Sequence, residues 1–303
     1  MAINLLIDLF TIVFTVLICW TVFSIRNSWK KPGSDKRVLG IELAIYLGIY
    51  LVFIYAIYYA PYQLTIKYQT FQILDTQNPV KIVFISDIHA GIVSEGYLRY
   101  VVDQINKEDP DMILIGGDFI HVDESETHIL EPLRGLKAKQ GVYSILGNHD
   151  YGLSWSNRET AGKVKAYLES IGIDVLINEN KELQIEGNKI ELIGLGSYWA
   201  GETDYDKATE GIDEKLPKII LIHEQEGLDI SKVKGNAIIL AGHTHCGQVR
   251  VPFLGSIPKL FGFKGDVDME RGKIGHYEIY TTCGIGGTPR FLTGPEITII
   301  RLE

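Results

Sequence analysis

VKIVFISD, residues 80–87, is an apolar run of strand length that stops abruptly at a carboxylate. The form recurs at DMILIGGD (111–118), VYSILGN (142–148), KIILIHE (218–224) and NAIILAGH (236–243). Short runs rich in Ile and Val, bounded by polar residues, are the mark of strands buried on both faces, as parallel sheets require. Helical patterns fill the first intervals. Ser94 can cap a helix running to Lys107, with Leu98, Val101, Val102 and Ile105 on one face. Residues 125–138 and 157–171 follow a helical pattern less regularly. ELQIEGNKIELIGL (182–195) reads as a hairpin turning at Gly187-Asn188, and 276–302 adds further strands. The expectation is an α/β domain.

Each run ends in a residue that can bind a metal or a phosphate: Asp87, Asp118, Asn148, His223 and His243. Sites in α/β sheets form just beyond the carboxyl ends of strands, so five such endings predict one site built from adjacent loops. The surrounding blocks are Asp87-Ile88-His89, Gly116-Gly117-Asp118, Gly147-Asn148-His149-Asp150, His223-Glu224 and Gly242-His243-Thr244-His245; they hold five of the chain's eight histidines. Residues i and i+2 of an extended segment face the same side, so Asp87 with His89, and His243 with His245, can act as two-pronged ligands. Imidazole with carboxylate suits Zn, Mn, Fe or a similar divalent ion, and the scarcity of thiolates argues against a Cys-based structural zinc site.

In this order the blocks resemble the calcineurin-like metallophosphoesterase superfamily, whose pattern is D-x-H, G-D, G-N-H-[DE], H and G-H-x-H. GHTHCGQ (242–248) and GGTPRFLTGPEITII (286–300) are similar to its membrane-linked bacterial subgroup of YkuE- and YaeI-like phosphoesterases. The resemblance runs from about residue 80 to the C-terminus. It implies a four-layer αββα sandwich and two divalent metal ions. Asp87, His89, Asp118 and His245 would bind one ion; Asp118, Asn148, His223 and His243 would bind the other, with Asp118 bridging. The ions would share a hydroxide held in line with the phosphorus. His149 would contact the phosphate or protonate the leaving oxygen, oriented by Asp150. Gln248 and Arg290, in the subgroup-like motifs, are candidate substrate contacts, and Arg290 could bind phosphate or pair with Glu296. Two departures stand out: Cys246 replaces the usual glycine, and Glu224-Gln225 replaces the usual Glu-Pro after His223.

Outside this domain, INLLIDLFTIVFTVLICWTVF (3–23) and IELAIYLGIYLVFIYAIYYA (41–60) are each long enough for a bilayer span. Asp8 and Glu42 sit near the span ends. No basic n-region or small-x-small cleavage site marks the first as a signal peptide, and a second span follows. The domains are therefore read as a two-helix membrane anchor over 1–62, a linker over 63–79 and the catalytic domain over 80–303. The loop SIRNSWKKPGSDKR carries five positive charges, which places it in the cytoplasm and the catalytic domain outside, on a multi-pass cell (inner) membrane protein.

The net charge is −9, of which residues 1–62 contribute +2, leaving −11 on residues 63–303. A domain so acidic is unsuited to sequence-independent nucleic-acid binding. Cys246 and Cys283 could form one bridge, but two free or buried thiols are the expected reading. His121, three residues after Asp118, is expected to be an exposed loop histidine, with a place at the site rim as the alternative, and His128 and His276 surface or core residues. Segment 250–265 is expected to be an ordinary packed loop, with a lid or membrane-facing role as the alternative.

The implied activity is a membrane-anchored phosphodiesterase or pyrophosphatase acting on a phosphorylated small-molecule or lipid-linked substrate. UDP-2,3-diacylglucosamine pyrophosphatase of lipid A synthesis is a specific alternative, in tension with the outward topology because that intermediate is expected in the cytoplasm. A non-catalytic, metal-containing membrane protein is the rival from another class. The intact His149-Asp150 pair argues against it.

Overall fold

The computed structural model describes residues 2–31, 33, 35–260 and 270–303. Pro32 of the basic loop and residues 261–265 of segment 250–265 lie outside the described residues. The chain divides into two compact units, Met1–Ala60 and Pro61–Glu303.

The first unit is a pair of helices, α1 (Ala2–Trp29) and α2 (Lys36–Ile54). Asp35 caps α2, its carboxylate accepting from Arg37 N at 2.9 Å. The helices meet through Phe14 and Phe53, centroids 4.7 Å apart, and Tyr58 Oη donates to Thr11 Oγ1 at 3.1 Å. Thr11–Trp29 and Lys36–Tyr62 are long and apolar enough to cross a membrane. Val16, Trp20, Ile41 and Leu51 point outward and are exposed.

The second unit opens with β1 (Thr65–Phe71), β2 (Val80–Ile85), α3 (Glu95–Lys107), β3 (Met112–Ile115), β4 (Val142–Ser144), α4 (Arg158–Ser170), β5 (Ile173–Val175), β6 (Glu179–Ile185) and β7 (Asn188–Gly194). It continues through the single-turn α5 (Tyr205–Ala208), β8 (Lys218–Ile222), β9 (Ala237–Ala241), the small β10 (Arg250–Val251) and β11 (Gly255–Ser256), β12 (Arg271–Ile274), β13 (Tyr277–Thr281) and β14 (Glu296–Leu302). Two six-stranded sheets result, ordered β1-β14-β2-β3-β4-β5 and β12-β13-β9-β8-β7-β6. β2 to β5 run parallel in the first, as do β7, β8, β9 and β13 in the second.

Alternation along the strands explains the layering. Val80, Ile82 and Phe84 of β2 face Ile219, Leu221, Ile238 and Leu240 of the other sheet, forming the core between the sheets. Val83 and Ile85 point the other way, onto Leu98, Val101 and Ile105 of α3. α3 is capped as expected, Tyr97 N donating to Ser94 Oγ at 3.2 Å. The outer face of the second sheet packs Ile220, Ile222 and Ile239 under Ala208, Val233 and Tyr277. That cover is mainly irregular chain between residues 204 and 235, with α5 its only described helical turn of α type, so the expected fourth helical layer is reduced here.

Three local expectations change. The stretch read as a linker, 63–79, contains β1, which pairs with β14 from Thr65↔Glu296 to Phe71↔Leu302. Its alternation of Ile66, Tyr68 and Thr70 with polar residues hides a half-exposed edge strand. The helix expected over 125–138 is a 3-10 segment, Glu124–Gly135, because Pro132 inside it supplies no backbone N–H. The hairpin turns at Glu186-Gly187, one residue earlier than expected. Both residues have positive φ, +51° and +85°, as a tight hairpin turn demands.

Replacing Ile82, wholly buried between the sheets, with Ala is expected to lower unfolding stability by about 2–5 kcal/mol. Urea denaturation of the detergent-solubilised chain measures this, and an unchanged midpoint would contradict the packing described.

Candidate metal centre

The parallel strands bring their carboxyl ends to one edge of the two-sheet sandwich. β2 delivers Asp87 and His89, β3 Asp118, and β4 Asn148; β8 and β9 deliver His223, His243 and His245 from the opposite sheet. Asp87, Asp118, Asn148 and His223 are fully or almost fully buried, and His89 and His245 nearly so. Two groups of ligand atoms, Asp87 with His89 and His245 and Asp118 with His223 and His243, gather within 4.8 Å, and a third of His89, His121 and His149 adjoins them.

The contacts are those of donors converging on common points. His89 Nε2 lies 3.1 Å from His245 Nε2, and His245 Nε2 lies 3.5 Å from Asp87 Oδ1. His223 Nε2 is 3.1 Å from Asp118 Oδ2 and His89 Nε2 is 3.7 Å from the same oxygen, so Asp118 stands between the groups. His243 Nδ1 is 3.1 Å from Asn148 Oδ1. Behind the centre, His223 Nδ1 is 2.6 Å from the Gly116 carbonyl; donating there leaves Nε2 for a cation.

Divalent cations fit this donor set. Nitrogen and oxygen ligands face inward, His223 Nε2 has carboxylate oxygens of Asp118 and Asp87 beside it, and His89 Nδ1 is buried without a hydrogen-bond partner. Burial drives the His89 and His243 pKa values down to about 3, and that of His245 well below the usual histidine range, so all three rings are neutral near pH 7. Burial also pushes Asp87 up to about 6, against the charge of His223. His223 and Asp118 are a coupled pair. Burial opposes both charges, but their mutual attraction wins, holding His223 well above and Asp118 well below the ordinary values. Metal loading would displace the His223 proton, so affinity should rise with pH.

The backbone is as unusual as the side chains. Asp87, His89, Asp118, His243 and His245 all have positive φ, between +48° and +69°. This left-handed region is uncommon for non-glycine residues, and each such residue costs about 1–3 kcal/mol where the surroundings impose it. Close approach is enforced at Gly147, where a Cβ would collide with Asp118 Oδ1 and press on the His223 ring.

Asp150 occupies a different place from the one expected. Its Oδ2 accepts from Asp118 N and Gly147 N, each at 2.9 Å, and its Oδ1 from Phe119 N at 2.8 Å and Ile120 N at 3.2 Å. Both oxygens are committed to backbone, so Asp150 clamps the loops after β3 and β4 and does not orient the His149 ring. Burial, with the nearby Asp118 charge, raises its pKa to about 7. His149 is held instead by the His121 carbonyl, 2.8 Å from its Nδ1. His121, expected to be an exposed loop residue, is half-buried and stacks on His149 with centroids 5.0 Å apart. Its position three residues after Asp118 was the available signal.

Arg290 departs from expectation. Arg290 is fully buried behind His245, 3.3 Å from its Nδ1, and donates to the carbonyls of Cys283, Gly284, Gly286, Gly287 and Gly294. It therefore braces a loop and has no free face for substrate; Glu296 pairs with Lys67 at 2.7 Å instead. Gln248 is half-buried beside the centre, with φ +51°. Cys246 and Cys283 form a disulfide, their Cα atoms 4.8 Å apart, where free thiols were expected. The topology causes this, because parallel pairing of β9 with β13 sets the two following loops side by side. His128 and His276 are exposed.

If Asp150 is a clamp, Asp150→Ala should lose bound metal and stability together, by about 3–5 kcal/mol, because four buried N–H groups lose their acceptor. Metal analysis paired with urea unfolding tests this; normal metal content and stability with only a slower kcat would restore the orienting role.

Comparison with known proteins agrees with this geometry. Residues 80–247 match the sequence model of the family described as Calcineurin-like phosphoesterase. The chain is 30% identical to the Phosphodiesterase YaeI of Escherichia coli (strain K12) over 238 residues, 75% of this chain and 84% of that one. It is 33% identical over 232 residues to the uncharacterized metallophosphoesterase YkuE of Bacillus subtilis (strain 168), covering 74% and 79% of the two chains. Similarity at 25% identity over 274 residues links it to the UDP-2,3-diacylglucosamine pyrophosphatase LpxG of Chlamydia muridarum (strain MoPn / Nigg), covering 73% and 83%. A mixed α/β fold, the ordered donor blocks and these relatives lead to one conclusion: the chain is a metallophosphoesterase and belongs to the calcineurin-like phosphoesterase family.

Proposed function

We propose that the protein is a two-metal phosphodiesterase or pyrophosphatase working at a membrane surface. One observation supports the reading: six His and Asp side chains from two sheets gather in two neighbouring groups, with Asp118 between them and Asn148 beside His243. Asp87, His89, Asp118 and His245 would hold one ion, and Asp118, Asn148, His223 and His243 the other. A pair of divalent cations supplies Lewis-acid stabilisation of phosphoryl oxygens and lowers the pKa of water.

The chain's own groups supply the rest. The His121 carbonyl accepts from Nδ1 of His149; a second proton on Nε2, carried by the imidazolium form at the half-buried edge of the centre, would contact the phosphate or pass to the leaving oxygen and leave the neutral ring. The buried Asn148 side chain and the half-buried His243 ring orient each other. Fully buried Asp87, Asp118 and His223 keep water from the floor of the site.

Two features support the membrane setting. The apolar helices end just before the catalytic unit, with only residues 61–64 leading into β1, so the site would work at high effective concentration of lipid-linked phosphates. The Cys246–Cys283 bridge favours an oxidising, extracytoplasmic compartment, in accord with the basic loop. Likeness to LpxG favours a second reading, hydrolysis of UDP-2,3-diacylglucosamine, which shares the bond class but not the compartment.

Wild-type protein should hydrolyse bis(p-nitrophenyl) phosphate with added Mn²⁺. Asp118→Ala should bring the rate to background along with loss of metal, whereas His149→Ala should keep its metal and lose about 10²–10⁴-fold in kcat. Inactivity of the wild type with every divalent metal tried would favour a non-catalytic metal protein. For topology, a secreted-type phosphatase fused after Glu303 should be active in cells; activity only of a cytoplasmic reporter at that position would reverse the orientation.

A further inference from the structure

Two tryptophans stand beside the centre, and the phosphate chemistry alone requires neither. Trp199 meets the His243 ring edge-on, centroids 4.2 Å apart with 78° between planes. Trp155 lies 5.1 Å from Trp199 and 6.0 Å from the ring of His149. The four rings form a row from His243 through Trp199 and Trp155 to His149. These two histidines are the half-buried members of the centre, whereas Asp87, Asp118 and His223 form its buried floor. The open side of the centre is thus the side lined by the tryptophans.

Both indoles remain substantially exposed, Trp155 at 38% and Trp199 at 39%. Trp155 also holds a positive φ of +55°, rare for a bulky residue, in a turn closed by its N–H on the Gly152 carbonyl at 2.9 Å. Large rings kept partly in water at a site's mouth, one of them on strained backbone, are poorly explained by packing. Indole faces offer broad, flat contact that suits a planar ring, and stacking on them tolerates different bases. The acidity of residues 63–303 disfavours a polyanionic strand as the source of that ring.

We infer that Trp155 and Trp199 form a stacking wall for a planar aromatic group of nucleobase type, carried on a small-molecule phosphate ester a few bonds from the phosphorus. The inference rests on the proposed phosphoesterase reading and narrows its substrate class.

The test uses the full chain in detergent with three esters sharing one leaving group: thymidine 5′-(p-nitrophenyl phosphate), ethyl p-nitrophenyl phosphate and octyl p-nitrophenyl phosphate. The wild type should prefer the thymidine ester over the ethyl ester in kcat/KM, and Trp155→Ala should reduce that preference roughly tenfold. Trp199→Phe, which retains a flat ring against His243, should preserve it. An equal fall for all three esters in Trp155→Ala, or no fall, would overturn the wall. So would a preference for the octyl ester that alone depends on Trp155, which would assign the rings to an acyl chain. Binding is read separately. The chain has four tryptophans, so Trp20→Phe with Trp29→Phe leaves fluorescence from the wall alone. Thymidine 5′-monophosphate should quench it at about tenfold lower concentration than ribose 5-phosphate; equal concentrations would refute the wall. Wild-type inactivity on all three esters would instead remove the hydrolase reading, and the fluorescence titration would still decide the wall.

Discussion

Four backbone N–H groups donate to one buried carboxylate, that of Asp150, and the centre is arranged around this clamp. It ties the turn after β3 to the turn after β4, and Asp118 returns the favour by accepting from His149 N at 2.8 Å. Each loop thereby fixes the other's functional residue. Without such cross-bracing, left-handed Asp118 would relax toward the broad regions of backbone space. The strain is affordable because two rigid sheets over-determine the loops from both sides.

The opposite flank is braced by different chemistry. Arg290 gathers the carbonyls of the 283–294 loop behind His245, and the Cys246–Cys283 bridge joins that loop to the one after β9. Burial lowers the guanidinium pKa to about 10, so it stays charged near neutrality and keeps donating. A hydrogen-bonded clamp on one side and a covalent one on the other leave the half-buried edge, with His149, His243 and the two tryptophans, as the open approach.

Much of this was legible before any coordinates. The strand runs and their polar endings announced a parallel arrangement, and the spacing of Asp87 with His89 and of His243 with His245 announced paired donors. What escaped were relations between distant segments. β1 reads as linker because an edge strand with one wet face lacks a continuous apolar run. The disulfide depended on β13 lying beside β9, a pairing no local pattern reveals. Asp150 follows His149 directly, which suggests a partnership within the motif, whereas its hydrogen bonds reach mainly across some thirty residues to 118–120. Trp155 and Trp199 carry no local signal, because neither sits in a motif.

The parallel pairing of β1 with β14 has a mechanical meaning. Any pull transmitted from the N-terminal helices enters the catalytic unit at Thr65, the first rung of a ladder ending at Phe71↔Leu302. Load along such a ladder acts in shear across seven rungs at once, rather than peeling them singly. Load directed along this ladder is therefore shared by seven rungs and by the sheet behind them before it reaches the loops that hold the ligands.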